Sequence, residues 1–378
     1  MSMTAIYAAA HFLVDFACGY LMFSGIYRAE NWYLCLLFYN FCAFAMQMPM
    51  GAFADWKNRN SFLAAFGCIL TAAAYAPGTV LAHLGWHESL AGQGMALAAA
   101  VIAGLGNGLF HVGGGLDTLN RSEKFSGLLG IFVAPGALGI FFGTSAGKSA
   151  GIPGLWLPLL LLLTAFCIAK RAKKKDIWHD SGNRPVSYHS IRKKGAIATV
   201  ACLFLVVILR SYLGMIQDFS WKDNLGAGMI LVSATAMGKA AGGFLGDIAG
   251  IKRTAFWSVF AAGVLYLFSG YPVAGILAVF FWNMTMPLTL WAVARVLSGA
   301  RGFSFGLLTF ALFLGFCPSY LNVRAFTGLL QSQELGLGVL CGASLILLQG
   351  GMYGVGKHMD RDGDISGDGG VSGAYFGH

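Results

Sequence analysis

The sequence predicts an all-α polytopic membrane protein, and three observations carry that prediction. Charged residues make up 11% of the chain and hydrophobic residues 57%, where a soluble globular chain carries about 25% charged residues. The mean hydropathy is +0.68. Apolar runs follow one another almost end to end, each near the roughly 20 residues that a helix needs to cross about 30 Å of hydrocarbon. Only helices and closed barrels satisfy their backbone groups in lipid, and long continuous runs without strand-like alternation select helices.

The runs fall at 4–26, 31–53, 61–83, 93–117, 125–147, 152–170, 195–216, 226–247, 254–270, 272–298, 303–320 and 328–352, which predicts twelve transmembrane helices. The longest polar interruption, KRAKKKDIWHDSGNRPVSYHSIRKK (Lys170–Lys194), parts them six from six. The predicted organisation is an N-terminal six-helix bundle over 1–170, a basic cytoplasmic linker over 171–194, a C-terminal six-helix bundle over 195–352 and a Gly- and Asp-rich, disordered cytoplasmic tail over 353–378.

Orientation follows from the basic residues. With the N-terminus inside, Lys57, Arg59, Arg121, Lys124, the linker, Lys252, Arg253, Arg295, Arg301, Lys357 and Arg361 are cytoplasmic, and Arg28, Lys222 and Arg324 lie in outer loops. This bias predicts a protein of the cytoplasmic membrane with both termini inside. The formal charge of +9 is therefore topogenic, and its expected partner is anionic lipid rather than nucleic acid. The first run lacks a basic n-region and a small-residue cleavage site, so it reads as a retained helix.

Several chemistries are disfavoured by spacing. The eight cysteines lie in or beside apolar runs and none shows CxxC spacing, which argues against a zinc or redox site. GTSAGKS (143–149) is one residue short of a phosphate-binding loop and follows no strand. DRDGDISGD (360–368) has Ile365 where a calcium loop needs glycine, and Val371 where it needs glutamate. No nucleophile–base constellation appears, so the expectation is a non-enzyme without a cofactor, acting as a monomer.

An internal repeat is visible. GAFADWKNR (51–59) and GFLGDIAGIKR (243–253) each place glycine four residues before aspartate, then a short turn, then basic residues. They sit at matching points of the two halves, the mark of a transporter built from two similar bundles. Gly51 and Gly243 permit close helix contact. Asp55 and Asp247, at the cytoplasmic ends of their runs, can accept bonds from a neighbouring helix N-terminus or from the basic residues that follow, among them Arg59 and Arg253. Such a pair of latches suits an inner gate.

Twelve spans split six and six, a basic central loop and two copies of a G-x-x-x-D-turn-basic motif together resemble the major facilitator superfamily over the whole chain. The first copy departs from the family pattern at Trp56 and Asn58, the second at Ile248 and by one extra residue before Lys252. The resemblance implies a central cavity lined by the first, fourth, seventh and tenth spans.

The ionisable residues concentrate in those spans. The first holds His11 and Asp15, one helical turn apart on one face. The fourth holds Asn107, His111 and Asp117, the seventh Arg210, Gln217 and Asp218, and the tenth Asn283, Thr285 and Thr289 around Pro287. Charges inside a membrane are costly and mark functional sites. Counting residues in from the span ends puts His11 and His111 at one depth, and Asp15 and Arg210 nearer mid-membrane, where they could pair. The expected roles are proton handling by Asp15 and the two histidines, with Arg210 stabilising Asp15 or receiving an anionic substrate. Asp117 is expected to make a helix-end contact at the cytoplasmic edge.

GIFVAPGALGIFFG (130–143) resembles the fifth-span motif of superfamily antiporters, with Ala134 in place of a glycine; Pro135, Gly136 and Gly139 keep the bend and the small face. That motif implies proton-driven export. H-x-x-x-D in the first span, G-x-G-N-x-x-F-H-x-G-G-G in the fourth and the arginine of the seventh resemble the fosmidomycin-resistance branch, which implies export of a small molecule against protons; the glycines 113–115 depart from it. The sequence reading is thus a secondary active transporter working by alternating access, with a small molecule and protons as partners. The alternative is a divalent metal transporter with His11, Asp15 and His111 as ligands.

Overall fold

The computed structural model describes residues 2–78, 88–123, 125–149, 154–174, 187–188, 194–321 and 332–366. Its regular elements are helical throughout. In chain order they are α1 (Met3–Ser24), α2 (Trp32–Asn40), α3 (Gln47–Lys57), α4 (Asn60–Ala73), α5 (Leu90–Arg121), α6 (Gly127–Lys148), α7 (Trp156–Lys174), α8 (Ala196–Ile216), α9 (Leu225–Ala249), α10 (Ile251–Tyr266), α11 (Pro272–Asn283), α12 (Thr285–Val296), α13 (Arg301–Tyr320) and α14 (Gln333–Ser366). Ten helical stretches among the described residues are long and apolar enough to cross a membrane. The chain is a multi-pass helical membrane protein. Large apolar side chains on the outer faces, such as Leu159, Phe166, Trp257 and Ile346, are exposed, as lipid contact requires.

Local chemistry sets the helix ends. Ser2, Ser89 and Asn224 cap α1, α5 and α9, their side chains accepting from Ala5, Gly92 and Ala227 N–H, which satisfies donors that have no partner inside the helix. The turn after α3 passes through Asn58 at φ 49°, and the matching turn after α9 passes through Gly250 at φ 86°. Both copies of the repeat therefore need a residue that tolerates positive φ. Asparagine is the usual substitute for glycine there, which accounts for Asn58 in the first copy.

Two expected single spans are interrupted. A π-helical turn at Phe41–Ala45 separates α2 from α3. In the 272–298 run the helix breaks at Met284; Pro287, lacking an N–H, cannot donate to the Asn283 carbonyl four residues back. At the far end α14 continues beyond 352 to Ser366, into the segment expected to be a disordered tail, because adding residues to a helix already formed costs little. Residues 175–186 and 189–193 of the linker, 367–378 of the tail, Lys124 and Arg324 lie outside the described residues.

The packing brings distant segments together. Within the first half α1 lies along α6, and α4 lies against α5 and α7; within the second α8 lies along α13, and α10 against α11 and α14. The halves meet along two seams, α6 with α9 and α3 with α13. Both seams are glycine-lined. A Cβ on Gly51 would strike the Gly302 carbonyl, and one on Gly243 would lie 2.7 Å from the Ser126 carbonyl, so the backbones approach as closely as small residues allow.

Candidate functional site

At one end of each seam an aspartate caps a helix of the other half. Asp55, near the end of α3, accepts hydrogen bonds from Gly302 N at 2.7 Å and Phe303 N at 2.8 Å, the first turn of α13. Asp247, near the end of α9, accepts from Ser126 N at 2.6 Å, Ser126 Oγ at 2.8 Å and Gly127 N at 2.9 Å, at the start of α6. A carboxylate there meets free N–H groups and the positive end of the helix dipole. Arg59 and Arg253 are exposed, and the bonds to Asp55 and Asp247 come from helix N-termini. Arg301 adds a further tie between halves, 2.9 Å from Glu123. The linker touches this end too: Ser187 N donates to the Gly299 carbonyl at 3.0 Å, and the Tyr188 ring packs edge-on to Phe303. Burial, then the Asp55 charge, raises the Tyr188 phenol above its ordinary pKa.

Between the halves lies a cavity of about 360 Å³, lined by His11, Asp15, Asn107 and His111 on one side and by Arg210, Lys239 and Thr289 on the other. A second space of about 380 Å³ shares Tyr39, Asn40, Phe44, Ile140 and Leu312 with it and extends past Met22, Phe23 and Met215. Those last residues lie at the ends of α1 and α8 remote from the aspartate caps. The cavity thus continues away from the capped end.

The polar cluster on the first wall is tightly tied. His11 Nε2 is 2.8 Å from His111 Nε2 and 3.2 Å from Asp15 Oδ2. His111 Nε2 is 3.8 Å from Asp15 Oδ1. Asn107 Nδ2 donates to Asp15 Oδ1 at 2.8 Å. Each imidazole's other nitrogen faces a backbone carbonyl: His11 Nδ1 lies 2.7 Å from Phe132 O, and His111 Nδ1 lies 2.8 Å from Asn107 O. Phe132 lies on α6 in the turn before Pro135, and its carbonyl oxygen has a second lone pair with which to accept the imidazole N–H. Gly136 sits directly over the cluster, and a Cβ there would strike His11 Nε2 and lie 2.6 Å from Asp15 Oδ2. Gly139 packs on the Phe12 carbonyl and the Asp15 Cβ one turn along. The fifth-span glycines therefore seat α1, and with it the titratable cluster.

His11, Asp15 and His111 offer ligand atoms within 4.8 Å of one another, close enough to surround a metal ion.

On the other wall, Arg210 is buried and its Nη1 donates to Thr289 Oγ1 at 3.3 Å and Thr285 Oγ1 at 3.5 Å. The anticipated Asp15–Arg210 pair is not formed: Asp15 is bound by the histidines and Asn107, Arg210 by the threonines of α12. Asn283 is also turned away, its side chain donating to its own helix at Val279 O, 2.8 Å. Asp117 is buried, bonded to Arg121 Nε at 3.3 Å one turn from the end of α5. Lys239 was missed by sequence reasoning. It lines the cavity, and among the described residues it has no hydrogen-bond or ion-pair partner. The signal was present, since VSATAMGKAAGG puts one cation in the middle of an apolar run.

No family model matches the sequence, and no curated protein matches it. Solved structures do. The E. coli fucose:proton symporter superposes with a TM-score of 0.65 at 13% identity, covering 92% of this chain and 97% of that one; in its outward conformation it is described as a major facilitator superfamily transporter. The chain has the major facilitator fold. A bacterial homologue of the iron transporter ferroportin, outward-facing, matches with a TM-score of 0.58 at 14% identity over 96% of this chain and 100% of that one. The human organic anion transporter MFSD10 matches with a TM-score of 0.59 at 14% identity over 92% and 98%.

Proposed function

We propose that this protein is a proton-coupled secondary transporter that moves a small molecule across the cytoplasmic membrane by alternating access, with efflux as the direction. The observation that carries the reading is the position of the Asp15–His11–His111 cluster, which lines a cavity between the two halves rather than the interior of either. Titratable groups at such a place can exchange protons with whichever side the cavity faces.

The architecture supports the reading. Helices α7 and α10, added to the ten membrane-length stretches, bring the count to twelve in two sets of six. The packing of α1, α4, α5, α6 and α7 in the first set is matched by that of α8, α10, α11, α13 and α14 in the second. The aspartate caps match as well, Asp55 on α13 and Asp247 on α6. They act as paired latches of the inner gate, with Gly51 and Gly243 giving the close approach, and a closed latch end with a cavity continuing to the other end is an outward-facing arrangement. Termini on the latch side are cytoplasmic by the distribution of basic residues. Arg210, Lys239 and Thr289 form the substrate wall, with Thr285 holding Arg210 in place. The fifth-span motif, with Pro135, Gly136 and Gly139, supports export against protons.

The test is made in proteoliposomes that enclose a pH dye and hold an imposed pH gradient. A panel of small organic acids, sugars and amines is added, and proton movement and compound flux are read together. Compounds that move protons with the wild type should fail to do so with Asp15→Asn and His111→Ala. If both variants move protons and compound as the wild type does, the proton-coupled reading is wrong.

A further inference from the structure

The two histidines are held in a way that fixes their protons. A carbonyl oxygen only accepts hydrogen bonds, so the imidazole nitrogen facing it must carry hydrogen. His11 Nδ1 faces the Phe132 carbonyl at 2.7 Å and His111 Nδ1 faces the Asn107 carbonyl at 2.8 Å. A neutral imidazole has one N–H. If both rings were neutral, both Nε2 atoms would present bare lone pairs to each other at 2.8 Å. That arrangement is repulsive. One added cation between the lone pairs resolves it.

The 2.8 Å between the two nitrogens is a hydrogen-bond distance, so a proton fits between them without moving either ring. We propose that His11 and His111 hold a single proton between their Nε2 atoms, and that this proton, rather than one on Asp15, is the ion the transporter couples to. The proposal rests on the proton-coupled reading above and names its carrier.

The surroundings fit a site that binds and releases one positive charge. Asp15 lies 3.2 Å from His11 Nε2 and supplies the counter-charge, and Asn107 holds that carboxylate in place by a bond of 2.8 Å. From α6, Phe132 and Gly136 face the pair and carry no ionisable group. Across the cavity stand Lys239 of α9 and Arg210 of α8, with Tyr39 of α2 at the side. When the proton leaves to cavity water, the two neutral rings keep their carbonyl bonds only by separating. Proton release is thereby converted into a loosened contact between α1 and α5.

The experiment needs no substrate. Protein labelled with 15N at histidine is reconstituted in lipid nanodiscs and its imidazole nitrogens are recorded by NMR across pH, with His11→Gln and His111→Gln used for assignment. The expected spectrum shows protonated Nδ1 on both rings and a through-bond coupling between the two Nε2 nuclei, lost in one step as pH rises and absent from either variant. Two bare Nε2 signals with no coupling at any pH would overturn the proposal. So would Zn2+ or Co2+ binding to the wild type at micromolar concentration with loss of that affinity in both variants, which would assign the site to a metal. If the coupling is seen but liposome assays show no proton flux, the proton-transport reading fails while the shared proton stands.

Discussion

Asp55 accepts the Gly302 backbone amide at 2.7 Å across the seam between the two halves. Asp247 does the same for Gly127 at 2.9 Å on the opposite seam. The two bonds join residues 247 and 120 positions apart in the chain, and each puts a carboxylate on a helix N-terminus.

Removing the charge from one latch should loosen both. A hydrogen bond to a charged group contributes about 1.5–3 kcal/mol, and about 1.4 kcal/mol is a tenfold change in an equilibrium. Asp55→Asn is expected to speed hydrogen exchange at Gly302 and Phe303 by at least about tenfold, and to raise exchange at Ser126 and Gly127 as well, because both seams join the same two halves. Exchange mass spectrometry reads this directly. Unchanged exchange at Ser126 and Gly127 would show two independent latches.

The Arg301–Glu123 pair should matter less. Glu123 is 43% exposed, and solvent-screened pairs contribute about 0–1 kcal/mol. Glu123→Gln is expected to change exchange at Gly302 by less than Asp55→Asn does, and to lose what effect it has in high salt.

Gly136→Ala tests the seating of the cluster. The added methyl would meet His11 Nε2 and Asp15 Oδ2, and overpacking of this kind costs about 1–3 kcal/mol. A lowered unfolding temperature in detergent is expected. Gly214→Ala, on α8 with nothing within 4 Å of the new Cβ, is the control and should be neutral or stabilising, since alanine is the better helix former.

Thr289 holds the buried Arg210. Thr289→Val removes the acceptor 3.3 Å from Nη1 and should destabilise by about 1.5–3 kcal/mol, as loss of a bond to a charged group does. Thr289→Ser keeps the oxygen and should restore stability. Thermal unfolding of the pair of variants separates lost hydrogen bonding from lost packing.

The helices, their order and the paired motifs are legible in the sequence because lipid imposes a strict rule on length and polarity, and the chain obeys it run by run. His11, Asp15, Asn107 and His111 stand out for the same reason, as polar groups in runs that should be apolar. The partners of those groups are not legible. Arg210 looked like a mate for Asp15 because both are charges at similar depth, yet each is satisfied by nearer neighbours. Asn283 looked like a cavity residue and bonds to its own helix, as short polar side chains in helices commonly do. Lys239 was visible as an intramembrane cation, and only its place on the cavity wall gives it meaning.

By itself the sequence determined a helical membrane protein with a repeated motif and a titratable set in its first and fourth apolar runs. Hydrophobic length and periodicity are local properties, written residue by residue. The tertiary structure decided that the two aspartates cap helices of opposite halves, that Gly136 roofs the histidines, and that His11 and His111 meet nitrogen to nitrogen. Those outcomes depend on distances of a few ångströms between segments about a hundred or more residues apart, and packing alone sets them.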